Sequence, residues 1–329
     1  MIDAPATLRR LTIALDGRAG MWRFGRETGP EPAQALVGRT PDEAARLAPL
    51  VFNLCGAAHG FAAATALGLP AAADGAAMAR ETVRDHALAM LHTWPQALGE
   101  APDRAALGLL ARPGRPEDFA TALVGEGAEL TSFSRAELDS WLREGPTPTA
   151  RLLARIRREV DPAEGREELP ELRAQDVAAA LDPARTPGAE GLRETSALGR
   201  VAHTPLVSAL LAGEGPSLFV RLLARLVDCL AALKPASAVP TYDLPAGFGI
   251  APAARGLLGH GVRLEAGRVA AYRILSPSAW NLAPGGLLER AFAALTPGPT
   301  ARRLAPLLVS AINPCVPVTL SYAEEAAHA

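Results

Sequence analysis

A mainly helical α+β domain with small antiparallel β-hairpins is what the sequence predicts, on three observations. Apolar residues recur at helical spacing along most of the chain, most clearly over 76–94, 217–233 and 300–312. Strand-like patterns are confined to two places, each interrupted by a glycine-bearing turn. Hydrophobic residues make up 49% of the 329, too many for a disordered chain and enough to bury a sizeable core.

Taken in order, residues 8–15 alternate imperfectly, and Asp16-Gly17-Arg18-Ala19-Gly20 reads as a turn before Met21-Trp22-Arg23-Phe24, giving a first hairpin. Thr40-Pro41-Asp42-Glu43 signals a helix start, with acidic residues in its first turn. The small apolar run 57–67 suits a helix packed closely on its neighbours. A longer amphipathic helix spans 76–94, with Met78, Val83, Ala87, Met90 and Leu91 on one side, and Pro95 ends it.

Short helical patterns at 135–142 and 150–160 lie within a stretch, about 104–193, broken by proline and glycine. The arginines of the second, Arg151, Arg155, Arg157 and Arg158, read as a solvated face. Pro183-Ala184-Arg185-Thr186-Pro187-Gly188 reads as a loop. Helical pattern returns over 194–211 and 217–233, where Cys229 sits among Leu222, Leu226, Leu230 and Leu233 as a core residue. Segments 261–264 and 268–274 flank Glu265-Ala266-Gly267, a second hairpin. Helices over 287–295 and 300–312 close the chain before Asn313-Pro314-Cys315.

Composition excludes several function classes. A formal net charge of -2 with no basic lobe argues against nucleic-acid binding. No apolar run reaches the roughly 18 residues of a membrane helix, the best candidate being broken by Arg221, Arg225 and Asp228. Met1-Ile2-Asp3-Ala4-Pro5 carries no basic stretch followed by an apolar run, so no signal peptide is expected. Three cysteines cannot all pair within the chain, and reduced thiols in a cytoplasmic protein are expected. That leaves packing, catalysis or metal binding for Cys55 and Cys315, each in a small-residue or proline-marked turn.

Gly38-Arg39-Thr40-Pro41-Asp42-Glu43-Ala44 followed by Cys55-Gly56 resembles the first cysteine motif of nickel-iron hydrogenase large subunits and the segment leading into it. Glu194-Thr195-Ser196-Ala197-Leu198-Gly199-Arg200 is similar to a second stretch of that family. Ala254-Arg255-Gly256-Leu257-Leu258-Gly259-His260, through Gly267-Arg268-Val269 and Tyr272 to Ser276-Pro277-Ser278-Ala279-Trp280-Asn281-Leu282-Ala283-Pro284, resembles its Arg-Gly hairpin and Pro-Thr-x-Trp-Asn-x-x-Pro segment. Asn313-Pro314-Cys315 falls where the family has Asp-Pro-Cys. The resemblance spans nearly the whole chain and implies a trimmed large-subunit-like fold: one domain over 1–329, a helical bundle with small antiparallel hairpins, most divergent at about 104–193.

The departures from the family matter as much. Its two metal-binding motifs each carry a second cysteine that bridges nickel and iron. Here Ala58 and Val318 stand at those positions, and Ser321 stands where the last motif has histidine. An alanine or valine has no donor atom, so a dinuclear site, nickel and hydrogenase activity are not expected. The acidic residue of the family's proton relay has no match around residues 8–11, and loss of the histidine implies that the tail is not processed. A large-subunit relative with one cysteine left in each motif is similar to the HupK-type hydrogenase expression/formation proteins.

That similarity implies a part in maturing a hydrogenase large subunit. One form is transient carriage of the Fe(CN)2CO fragment, whose low-spin iron brings strong ligands and needs only two or three more. Thiolates from Cys55 and Cys315 would supply them, the metal itself drawing off their protons. His59, four residues after Cys55, is a candidate third ligand if the segment is helical, or else a hydrogen-bonded or core histidine. By the resemblance, Arg255, Ser278 and Pro277 form the pocket for the iron's diatomic ligands, with Arg255 and Ser278 as donors to cyanide; a loop-stapling arginine and a turn-capping serine are the alternatives. Trp280 and Asn281 read as architectural. Asp85-His86 resembles a helix element near the family's metal, and its simpler reading is a pair on a helix surface.

The rival is a metal-free chaperone or decoy that presents a large-subunit-like surface to the maturation machinery. Expected partners under either reading are the hydrogenase large-subunit precursor and a small iron-delivery chaperone. An active mononuclear redox enzyme is disfavoured, because no acid-base relay accompanies the thiols. A carrier requires both sulfurs in one cavity, close enough to share one iron. Sulfurs facing different surfaces would favour the chaperone.

Overall fold

The computed structural model describes residues 7–16, 21–71, 75–111, 115–182, 191–234 and 239–322. The turn expected at 17–20, the loop expected at 183–188 and the extreme termini lie outside the described residues. Among the described residues helices predominate, and six strands accompany them: β1 (Thr7–Asp16), β2 (Met21–Gly29), β3 (Phe248–Ala253), β4 (Gly256–Glu265), β5 (Arg268–Leu275) and β6 (Val318–Tyr322).

Both expected hairpins form. β1 and β2 pair antiparallel from Asp16↔Met21 to Thr7↔Gly29. β4 and β5 pair from Glu265↔Arg268, across a two-residue turn in which Ala266 and Gly267 both take positive φ. That is the geometry whose twist matches the strands it joins. β3 adds antiparallel to β4. The sequence did not announce β6, which pairs parallel to β1 from Leu11↔Val318 to Leu15↔Tyr322. The first sheet is therefore mixed, in the order β2-β1-β6, and it clamps the segment after Cys315 to the start of the chain.

The helix Leu218–Leu233 runs through the main core, with every residue from Leu218 to Leu230 buried. It packs against Gly75–Leu88, Ala197–Val201 and Pro299–Ile312. The helix Pro41–Val51 starts with the reciprocal cap that the sequence signals: Thr40 Oγ1 accepts from Glu43 N–H, and the Glu43 carboxylate accepts from Thr40 N–H at 2.9 Å. No single helix among the described residues is long and apolar enough to cross a membrane.

Two expected helices take a different form. The one over 76–94 does not stop at Pro95; after Gly75–Leu88 it widens into a π-turn at Ala89–Thr93 and runs on through Trp94–Ala97. Pro95 has no N–H for the Leu91 carbonyl, and Asp103 N–H donates to that oxygen instead, at 2.8 Å. The helix over 194–211 divides into Ala197–Val201 and Pro205–Glu214. Pro205 suits the first turn of a helix, but it pushes Thr204 out of helical geometry.

Arg155 and Arg157 correct the solvated-face reading of the basic helix Pro148–Glu159. Arg155 pairs with Glu100 and Glu159, while Arg157 binds the buried Glu214 and covers the Phe219 ring at 4.7 Å. Arg151 and Arg158 remain exposed. Cys229 is fully buried in the main core.

Candidate thiolate site

Cys55 ends a short 3-10 turn, Asn53–Cys55, and stands at the N-cap of the helix Gly56–Ala66. That helix can lie directly on β3 because its contact face is small, with Ala58, Ala62, Ala63 and Ala66 all buried. The approach is close enough that a Cβ on Gly249 would sit 2.0 Å from the Ala62 carbonyl oxygen. Glu81 caps the exposed helix end, accepting from Ala57 N–H at 2.9 Å.

The sequence motifs interlock around Thr195. Asn281 brackets its peptide, accepting from Thr195 N–H at 3.0 Å and donating to Thr195 O at 2.6 Å. The Thr195 hydroxyl oxygen accepts from Leu257 N–H at 2.7 Å. Gly256, at φ 133°, lies so near that a Cβ would be 2.5 Å from that hydroxyl. The Arg-Gly turn is thus held by the Glu194–Arg200 stretch and by Asn281, which places Arg255 beside the Cys55 turn. Pro277 and Ser278 begin the helix Pro277–Asn281 and are buried, while Trp280 packs half-buried against the cluster of Leu172, Val177, Leu181 and Ile250.

Cys315 follows the helix Pro299–Ile312, whose left-handed cap Asn313 turns the chain at φ 59°. Cys315 N–H donates to Ser278 Oγ at 2.8 Å, and its Sγ lies 3.7 Å from Ser276 Oγ. Although 260 residues apart in sequence, Cys55 and Cys315 line one cavity of about 580 Å³, together with Arg255, Ser278, Pro277 and His59. Burial pushes the Cys55 thiol up to about 12, the Arg255 guanidinium pulls against that rise, and the Cys315 sulfur adds to it. Unloaded Cys55 is a thiol at neutral pH, so any metal that binds there must displace its proton.

Arg255 is paired on one side only. Its Nη2 lies 2.6 Å from Asp85 Oδ1, whereas its Nε and Nη1 are buried with no hydrogen-bond partner among the described residues. Two unpaired guanidinium nitrogens at a cavity wall, with three N–H bonds between them, suit an acceptor ligand. Ser278 has used an acceptor lone pair on Cys315, and its own proton is still available to donate.

Among the described residues no three His, Cys, Asp or Glu side chains gather as a metal cluster, and His59 is engaged elsewhere. It stacks on Phe52, and its Nδ1 lies 2.9 Å from His260 Nε2. Burial takes His59 down to about 3, which keeps it neutral.

Asp85 and His86 are not on a helix surface. The Asp85 carboxylate receives Arg225 at 2.9 Å, Arg255 at 2.6 Å and Asn313 Nδ2 at 2.5 Å. Fully buried His86 donates from Nε2 to Asp228 Oδ2 at 2.7 Å and accepts at Nδ1 from Arg225 Nε at 3.0 Å. Arg200 closes the network, bonding Asp228 and the carbonyls of Ala253 and Ala254 just before Arg255. Burial alone would raise the carboxyl of Asp85, but Arg225 and Arg255 outweigh it and hold the group below the usual carboxylate range. Sequence reasoning read Arg225 and Asp228 only as interruptions of an apolar helix. The signal was there: ionic residues three apart on a helix buried nearly all round need partners.

Comparison with known proteins now bears on this geometry. A family model of nickel-dependent hydrogenases matches residues 170–293. The hydrogenase expression/formation protein HupK of Rhodobacter capsulatus is 36% identical over 92% of this chain and 93% of its own. The chain belongs to the HupK family of hydrogenase expression/formation proteins. The expression/formation protein HoxV of Cupriavidus necator is 29% identical, over 95% of this chain and 97% of its own. Among solved structures, the nickel-iron-selenium hydrogenase of Desulfovibrio vulgaris Hildenborough aligns with TM-score 0.56 at 17% identity, over 90% of this chain and 93% of that one. An NAD+-reducing nickel-iron hydrogenase aligns with TM-score 0.53 at 16% identity, over 90% and 92%. At such identity the likeness concerns the fold, which is a trimmed hydrogenase large-subunit fold. Ala58 is a fully buried helix residue, and Val318 opens β6 half-buried.

Proposed function

We propose that this HupK-family member is a non-catalytic accessory factor in maturation of a nickel-iron hydrogenase large subunit, and that it transiently carries the Fe(CN)2CO fragment between Cys55 and Cys315. The observation that carries the proposal is Arg255: two buried guanidinium nitrogens without partners among the described residues, in the wall of the cavity that holds both thiols. Cyanide nitrogens are hydrogen-bond acceptors and fit those donors, while the two soft thiolates suit the iron. Ser278, with its proton free, is a further donor. Nickel has no place in this reading, since Ala58 and Val318 offer it no ligands. The large-subunit precursor and a small iron-delivery chaperone are the proposed partners.

Infrared spectroscopy of protein purified without oxygen from cells expressing the maturation system tests the proposal. Cyanide and carbon monoxide bands are expected, and Cys55→Ala or Cys315→Ala should abolish them. Intact protein without bands, in cells whose hydrogenase maturation still depends on it, would favour the metal-free chaperone. One observation speaks for that second reading: Leu50, Val51 and Leu54 leave apolar side chains exposed beside the Cys55 turn, as a protein-docking surface would.

A further inference from the structure

Three buried side chains form a hydrogen-bonded row that ends at the thiol cavity. The Tyr272 hydroxyl on β5 lies 2.8 Å from His260 Nδ1 on β4, and His260 Nε2 lies 2.9 Å from His59 Nδ1. His59 also lines the cavity, and its remaining nitrogen, Nε2, has no hydrogen-bond partner among the described residues. His260 is likewise the only partner of the Tyr272 hydroxyl among them.

Each contact holds one proton, so with both rings neutral the row has two orders. In the first, Tyr272 O–H donates to His260 Nδ1, which places the His260 proton on Nε2. That proton is donated to His59 Nδ1, and His59 carries its own on Nε2. In the second, every bond is reversed. His59 Nε2 then shows a lone pair, and the phenolic proton of Tyr272 is buried with nothing to accept it. The first order leaves only the His59 Nε2–H unpaired, at the cavity wall, whereas the second strands a hydroxyl buried away from it, a difference that biases the equilibrium by roughly tenfold. A charged His260 would keep both neighbours bonded, but burial holds its pKa far below the ordinary histidine value.

We propose that Tyr272 and His260 hold His59 in its Nε2–H form, making it a hydrogen-bond donor to a cyanide nitrogen of the carried fragment rather than a metal ligand. The acceptor rests on the carrier reading; the tautomer does not. Tyr272 and His260 are positioning residues here, and His59 joins Arg255 and Ser278 as a donor around a cargo that has two cyanides to satisfy.

Long-range proton–nitrogen correlation NMR on nitrogen-15-labelled, metal-free protein reads the tautomer directly. His59 is expected with Nε2 protonated and Nδ1 bare, and Tyr272→Phe should shift it toward an Nδ1–H mixture by removing the proton that polarises the row. A bare Nε2 in the intact protein overturns the proposal, and that spectrum decides even if the variant fails to fold. Infrared spectra of loaded protein read the acceptor: His59→Leu should shift a cyanide band, and His59→Gln, which keeps an N–H donor, should restore it. Bands unmoved in His59→Leu overturn the donor role while leaving the carrier standing. Complete absence of bands from intact protein overturns the carrier and the cyanide acceptor with it, whatever the tautomer.

Discussion

Asp85 Oδ1 sits 2.6 Å from Arg255 Nη2, while Oδ2 of the same carboxylate receives Asn313 Nδ2 at 2.5 Å. One side chain thus ties the Arg-Gly turn to the turn that presents Cys315. Arg225, bonded to the same carboxylate, anchors both to the central helix. The cavity is shaped by an ionic network that reaches it from behind.

Asp85→Asn should therefore be costly. It leaves Arg255 buried without a counter-charge and Arg225 with only Asp228 to balance it, a change that typically costs about 3–5 kcal/mol. The expected outcome is a clear fall in the urea midpoint together with loss of any cargo bands. A variant as stable as the parent would mean that the carboxylate holds nothing in place.

Asn281→Ala should cost about 2–4 kcal/mol by urea unfolding. It strips two hydrogen bonds from the buried Thr195 peptide and leaves both peptide groups unsatisfied. Asn281→Asp should fail as well, since a carboxylate cannot donate to Thr195 O.

Two glycines of the β3–β4–β5 meander should respond differently to alanine. At Gly256 a Cβ would meet Thr195 Oγ1 at 2.5 Å and Thr195 O at 2.8 Å, on top of the strain of a positive φ. At Gly267 φ is also positive, but the space is open. Gly267→Ala should cost about 1 kcal/mol and Gly256→Ala at least about 3 kcal/mol, as thermal unfolding would show. Equal costs would argue against tight packing of the Arg-Gly turn on Thr195.

Acid should destabilise the fold before the carboxylates titrate. Burial holds His59, His86 and His260 below the ordinary value of 6.5, so the unfolded chain takes up their protons first. Their contribution is complete above pH 6.5 and is lost as the pH falls below it, at up to about 1.4 kcal/mol per pH unit for each histidine. Asp85 and Asp228 are also depressed, and their contribution is lost further down, below the usual carboxylate range. Urea titrations between pH 7.5 and 5 should show the decline, about one proton shallower in His59→Gln. A flat profile would contradict neutral burial of these rings.

What could be read from the residues follows the range of the forces involved. The Thr40–Glu43 cap, the Ala266-Gly267 turn and the apolar side of Gly75–Leu88 depend on neighbours a few residues away, so their signals are local. Cys55, Cys315, Arg255 and Ser278 were found through family resemblance, and the fold gathers them at one cavity. Asp85-His86 was misjudged because its partners lie 139 or more residues away, and nothing near it in sequence marks it as buried. For His59 helix spacing left two readings open, ligand or hydrogen-bonded core histidine, because it reports which face a side chain occupies, not what waits opposite; the His260 contact is visible only in the fold.

By itself, then, the chain's order of residues determined most of its helices, its two hairpins and its kinship with hydrogenase large subunits. Tertiary structure decided that two distant sulfurs share a cavity, that a guanidinium there keeps two nitrogens unpaired, and that β6 closes on β1. The physical reason is that caps, turns and periodicity act within one or two turns of backbone. Burial, ion pairing and hydrogen-bond direction exist only once remote segments have packed together.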